Sequence, residues 1–237
     1  KTAYEISLGL VGSEMCIRDR FFNNTRANFQ GTRLNSTITD TYHTVRGTKR
    51  YGLLLDPGAS TGVMGTDTLL QHCNHHIWPA GKTVTIGPTD SVLTGIDGVP
   101  NPGLGLAHVP LGIPGLPGAK FKCDLSGGNG SLCPGLVPNE TFISFSMSLF
   151  ANVFPNKDGI VSVKTDNGTK LYRILLTDSG HYLWPTDNFD ERQDPKERLQ
   201  IKQALQRHLA DLYEDNDDAN TTTSAQPQNI SLYHSLQ

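Results

Sequence analysis

The chain has 237 residues, with 20 Lys and Arg against 23 Asp and Glu and a formal charge of −3. That size suits one domain with tails or two small ones, and the near balance of charge offers no basic stripe to a nucleic-acid backbone. No apolar run is long enough to span a bilayer as a helix, so neither nucleic acid nor membrane is an expected partner.

Residues 1–20 resemble the translation of a sequencing-library adapter, with "LVGSEMCIRD" carrying the match. They are set aside from fold reasoning. Residues 21–40 are polar and without periodicity, and read as a flexible lead-in. "DTYHTVRGTKRYGLLLDPGAS" has two extended runs joined by "RGTK", which predicts a hairpin pairing 41–45 with 51–55. "GTDTLLQHCNHHIW" predicts a short helix with Thr66 or Asp67 as N-cap.

"KTVTIG" and "SVLTGI" are strand-like, and "DGVPNPG" has the residues of a hairpin tip. "LGLAHVPLGI" and "AKFKCDL" read as strands, "SGGNGS" as a turn, and "SLCPGLVP" as a short strand running into a bend. "NETFISFSM" gives a helical turn or two capped by Asn139. "SLFANVF", "DGIVSVKT", "KLYRILLT" and "HYLWP" complete the strands. The predicted class is all-β with short helices, in one region over 41–187. Residues 188–219 read as a charged linker with a helix entered at Pro195, carrying an apolar stripe of Leu199, Ile201, Leu205, Leu209 and Leu212. That stripe fits packing on its own domain or self-association. Residues 220–237 have the composition of a disordered tail.

Outside the adapter-like stretch, Cys73, Cys123 and Cys133 form an odd set without a CxxC pair. This argues against a disulfide scaffold or a zinc finger and for free thiols. His72 and His76 have the i, i+4 spacing of zinc sites, but no HExxH arrangement accompanies them, and a polar helix face is expected. No metal or cofactor is expected.

The chemistry centres on "YGLLLDPGAST", where an apolar run delivers Asp56 into a small-residue turn. One reading is an aspartic protease, in which two carboxylates share a proton because like charges in contact cannot both ionise. Gly58 then allows two loops to approach closely, and the Ser60 hydroxyl orients the carboxylate. A second reading is a serine hydrolase, since Gly58-Ala59-Ser60-Thr61-Gly62 fits GxSxG and Asp178 and His181 follow in triad order. That fold needs repeated βα units, which the hairpin-like strands do not supply. The third reading is a structural turn closing a buried strand.

The order of pieces over 41–165 resembles a retropepsin, the protease of retroviruses and retrotransposons. "TYHTVRGTKRYGLLLDPGAS" resembles its opening hairpin and catalytic loop. "SVLTGIDGVPNPGLGLAHVPLGI" resembles its flap, with Gly95, Ile96, Asp97 and Gly98 at the tip. "FKCDLSGGNGSLCPGLVPNETF" resembles the later apolar-apolar-Gly segment and short helix, with Gly135 as the glycine, and "SLFANVFPNKDGIVSVKT" resembles the closing strands.

The sequence does not fix a compartment, and an intracellular one is the expectation. The resemblance implies a closed β-barrel and an endopeptidase that processes a retroelement polyprotein. It works on polypeptide substrates as a homodimer, with Asp56 as the catalytic carboxylate and Gly58, Ala59 and Ser60 shaping its loop. Two features depart from the family: Pro57 replaces a Thr or Ser, removing a hydroxyl and an amide, and the "LLQHCNHHIW" insertion is long. "LLTDSG" offers Asp178 as an alternative second aspartate within one chain. The alternative function is a catalytically weak or inactive module of the same fold, used for dimerisation or peptide binding.

Overall fold

A computed structural model of the chain describes residues 15–16, 43–94 and 100–219. The adapter-like stretch apart from Met15–Cys16, the 21–40 lead-in, the flap tip and the 220–237 tail lie outside the described residues. The chain forms β1 (Met15–Cys16), β2 (His43–Val45), β3 (Thr48–Arg50), β4 (Gly52–Leu55), β5 (Val63–Gly65) and α1 (Thr66–His72), which continues as a π turn (Cys73–Ile77). Then come β6 (Thr85–Gly87), β7 (Val92–Thr94), β8 (Pro100–Pro102), β9 (Leu106–Pro110), β10 (Lys120–Ser126), β11 (Leu136–Val137) and α2 (Asn139–Ser144). The last elements are β12 (Ser148–Phe150), β13 (Gly159–Thr165), β14 (Gly168–Leu176), β15 (Tyr182–Pro185) and α3 (Pro195–Ala219). The protein is mostly β-strand, as its strand-like runs predict.

Eleven strands pair in the order β1-β6-β9-β10-β5-β11-β4-β15-β14-β13-β12, and β2-β3 and β7-β8 form separate hairpins. The β10–β5 and β11–β4 pairings are parallel. Alternation sets the faces: on β10, Phe121, Cys123 and Leu125 are buried in the main core. That core also takes Val109 from β9, Val161 and Val163 from β13, and Ile174 from β14. Strands from both halves of the sheet therefore bury one cluster together, and an isolated bridge, Gly112 with Asp187, joins the segments after β9 and β15.

The expected closed barrel is corrected here. Closure requires the first and last strands to pair, and among the described residues β1 and β12 remain the two edges. Among the described residues the outer side of β6 takes the two residues of β1, Met15 opposite Ile86 and Cys16 opposite Thr85. An open edge accepts extended backbone whatever its side chains, so part of the adapter-like stretch pairs there.

The first hairpin also differs from expectation. β2 pairs with β3, not with 51–55, and its register sets Val45 opposite Thr48 and His43 opposite Arg50. Its turn has two residues, Arg46 at φ 51° and Gly47 at φ 74°, the left-handed pair that a tight hairpin of this twist requires. Arginine is uncommon there, and a distant carboxylate holds it. Asp178 accepts the N–H of Arg46 at 2.8 Å and that of Gly47 at 3.1 Å, while its own N–H donates to the Thr44 carbonyl at 2.7 Å. The Arg46 guanidinium pairs with buried Asp158 at 2.9 Å. β4 is thereby left to enter the large sheet between β11 and β15.

Helix starts follow tertiary contacts. The N-cap of α1 is Gly65, not Thr66 or Asp67, and the N–H groups of Asp67 and Thr68 donate to the Ser131 carbonyl at 2.9 and 3.2 Å. A loop thus satisfies donors that a side chain would otherwise cap. α2 is capped by Pro138, not Asn139. α3 begins at Pro195, and the Asp194 carboxylate accepts the Lys196 N–H at 2.9 Å. Ile201 and Leu205 are buried against Ile160 and Leu171, each contributing about 1.5–3 kcal/mol by burial. The helix is therefore packed on β13 and β14, while Leu199 and Leu212 stay exposed.

Candidate active site

Leu53, Leu54 and Leu55 are all buried. Leu53 and Leu55 join the main core, and Leu54 joins a second cluster with Val45, Leu175 and Leu183. A strand covered on both faces reads as a continuous apolar run, and this one ends at half-buried Asp56. The Asp56 carbonyl accepts the Ala59 N–H at 3.0 Å, closing a four-residue turn with Pro57 at its second position. Proline suits that position, because its fixed φ matches the turn and no N–H is needed there.

The carboxylate is oriented from within this turn. Gly58 donates its N–H to Asp56 Oδ1 at 2.9 Å. Ser60 is exposed, and no hydrogen bond joins its hydroxyl to Asp56, so the orienting role expected of Ser60 belongs to the Gly58 amide. The Ala59 carbonyl accepts the Asn139 N–H at 3.2 Å, which ties the loop to the start of α2.

Support from beneath comes from β11. Leu54 donates its N–H to the Gly135 carbonyl at 2.8 Å, and Asp56 donates its N–H to the Val137 carbonyl at 3.0 Å. A Cβ on Gly135 would lie 2.5 Å from Leu53 Cδ2 and 2.6 Å from Met64 Cε. Only a glycine lets β11 lie this close without repacking.

Asp178 sits at the same end of the sheet but not beside Asp56. Leu54 pairs with Leu183 and Leu183 with Leu175, which puts β4 and β14 two strand spacings apart, about 10 Å. No hydrogen bond joins the two carboxylates, and both oxygens of Asp178 accept hairpin N–H groups. His181 Nδ1 bonds the Ser179 hydroxyl at 3.2 Å, so Ser60, Asp178 and His181 are not assembled as a triad.

The proposed flap tip, Gly95, Ile96, Asp97 and Gly98, lies outside the described residues. Its stem is described, with Val92 opposite Pro102 and Thr94 opposite Pro100. At its foot, Gly103 donates its N–H to the Ser91 carbonyl at 2.9 Å. The Thr89 hydroxyl donates to Asp124 Oδ1 at 2.7 Å, and the Asp124 N–H donates to the Gly62 carbonyl at 2.8 Å. The stem is thus anchored to the chain that leaves the Asp56 loop. Sequence reasoning missed Asp124, because alternation puts it opposite Phe121, Cys123 and Leu125 and predicts a solvated side chain; it is buried.

The expected polar helix face at His72 is corrected. His72 is 1% exposed and stacks on Tyr51 with ring centroids 4.4 Å apart. Among the described residues no three His, Cys, Asp or Glu side chains converge as a metal site. Among the described residues Cys73, Cys123 and Cys133 are not in disulfides, and burial raises the Cys123 and Cys133 thiols above their usual range. Among the described residues no helix is long and apolar enough to cross a membrane. Comparison with protein families, curated proteins and solved structures finds no match for this chain.

Proposed function

We propose that the chain is an aspartic endopeptidase of retropepsin type, in which two copies each contribute Asp56 to one dyad. The observation that carries this reading is the bonding of the Asp56 strand to the segment after Gly135, from Leu54 to Gly135 and from Asp56 to Val137. This gives Asp56 a fixed, half-exposed position at a strand end, with its carboxylate held by the Gly58 amide. One chain supplies one such carboxylate, so a symmetric pair is needed to complete the site. The shared proton lets one aspartate take a proton from water while the other gives one to the leaving amide. The substrate is a polypeptide, drawn in extended form beneath the hairpin that β7 and β8 begin.

A second reading is a weakly active or inactive module of the same kind, used for dimerisation or peptide binding. It is favoured by Pro57, which stands exposed at the loop tip with neither N–H nor hydroxyl to offer a partner loop. Peptide-library cleavage by the full chain at pH 4 to 7.5, with Asp56→Asn beside it, separates the two. Cleavage lost in Asp56→Asn supports the enzyme. Concentration-dependent dimerisation without Asp56-dependent cleavage supports the module.

A further inference from the structure

α1 runs directly into the five-residue π turn Cys73–Ile77. Such turns are rare and frequently lie at functional sites. Thr68, His72 and His76 follow one another at four-residue steps and meet Tyr51. The Tyr51 hydroxyl donates to the Thr68 carbonyl at 2.7 Å. The Tyr51 ring lies 4.4 Å from His72, nearly parallel, and 4.8 Å from His76. The two imidazole centroids are 5.5 Å apart.

Thr68 and His72 are buried and His76 is half-buried, yet their polar atoms are not all satisfied. Neither ring nitrogen of His72 has a hydrogen-bond partner, nor has His76 Nε2 or Thr68 Oγ1. An unpaired buried nitrogen is costly, and a buried imidazolium with no counter-charge is costlier still. Burial, helped by His76, pushes His72 down to about 3. Burial also lowers His76; Asp187, in the segment after β15, opposes this, and His75 adds to it. The groups acting on the pair are thus His75 from the π turn, Asp187 from beyond β15, and the Tyr51 phenol beside β4.

We propose that the Tyr51–His72–His76 stack is an acid-released latch that holds the α1–π segment against the strand carrying Asp56. Tyr51 immediately precedes β4, and α1 immediately follows β5, so the latch joins the two elements that flank the Asp56 loop. A proton on His72 requires water or a counter-charge that the closed stack does not provide. Taking it up separates the rings and frees the segment from Tyr51. The latch operates whether or not the chain cleaves peptides, so its test is independent of the protease reading.

Hydrogen exchange on the full chain between pH 7.5 and 4.5 tests this. Protection factors over 66–78 are expected to fall by about tenfold per pH unit below about 6.5, as uptake of one proton requires, while β13 and β14 stay protected. His72→Phe keeps a ring on Tyr51 and takes no proton, so it should shift this loss to lower pH or abolish it. If His72→Phe fails to fold, the native chain decides by NMR: a His72 ring that titrates near its ordinary value in the folded protein overturns the latch. So does protection over 66–78 that is independent of pH, or that is lost only together with β13 and β14.

Discussion

The Gly135 carbonyl accepts the Leu54 N–H at 2.8 Å, and a methyl group on Gly135 would meet Leu53 and Met64. Gly135→Ala should therefore cost about 1–3 kcal/mol, the usual range for overpacking a filled core. Urea unfolding followed by tryptophan fluorescence measures it. A loss below about 0.5 kcal/mol, the scale of an uninvolved surface change, would show that β11 does not press on β4 as described.

Pro57 occupies the second position of the turn that Asp56 closes with Ala59. Pro57→Thr should lower the stability of the isolated subunit by about 0.4–1 kcal/mol, since a proline that fits its turn restricts the unfolded chain. It should also tighten dimerisation and raise cleavage together, because threonine restores a hydroxyl and an amide at the exposed tip. Sedimentation at several concentrations, with peptide cleavage, reads both. Unchanged association and cleavage would mean that the tip makes no such contact.

Asp178 holds the Arg46-Gly47 turn through both carboxylate oxygens. Asp178→Ala should destabilise the fold by about 1 kcal/mol, the net scale of ordinary hydrogen bonds at an exposed site. Cleavage per folded molecule should be unaffected. Abolished cleavage in a variant with the native melting temperature would instead make Asp178 the partner of Asp56.

Asp158 is fully buried and takes Arg46 at 2.9 Å and Arg173 at 2.7 Å. Burial alone would raise its carboxyl, but bonds from Arg46, the Leu176 amide and Arg173 hold it below its ordinary value. Its contribution is therefore present above pH 3.8, where the unfolded carboxylate is also ionised, and fades as pH falls through the lower folded-state value. Asp158→Asn should cost about 1.5–3 kcal/mol at neutral pH, the scale of hydrogen bonds to charged groups, because both arginines lose a carboxylate but keep access to water. The cost should shrink as pH falls below 3.8. Chemical unfolding at pH 7 and pH 3 checks this, and an equal loss at both would mean that shape rather than charge carries the contribution.

His72 gives stability an acid limb of its own. Its neutral form is held down to about 3, against 6.5 unfolded, so the unfolded chain binds the extra proton between those values. Stability should fall as pH drops below about 6.5, at a slope approaching 1.4 kcal/mol per unit. His72→Phe should flatten that limb. A wild-type stability curve that is level from pH 7 to 5 would contradict the burial of this imidazole.

The sequence makes the Asp56 loop legible because its determinants are local: three leucines, an aspartate, and a proline suited to the turn that follows. The hairpin register was not legible. "RGTK" resembles a four-residue loop until Asp178, 132 positions from Arg46, holds a two-residue turn in left-handed geometry. The starts of α1 and α2 are hidden for a similar reason: the Ser131 carbonyl satisfies α1 in place of Thr66 or Asp67, and the Ala59 carbonyl takes the Asn139 N–H at the start of α2. Asp124 and His72 were hidden by alternation and helical periodicity, which report which face a side chain occupies but not what covers it. Thr89 covers the first and Tyr51 stacks on the second.

The neighbours of β4 come late in the chain: β11 at Leu136–Val137 and β15 at Tyr182–Pro185. A ribosome that has released everything up to residue 181 has made Asp56 and its turn but not the strand that closes one side of β4. Pairing across more than half the chain is slow to form, and synthesis is vectorial. The order of synthesis therefore acts as a timer: the strand presenting Asp56 is completed only when the sheet is nearly whole, and an unfinished chain cannot hold the carboxylate in its final place.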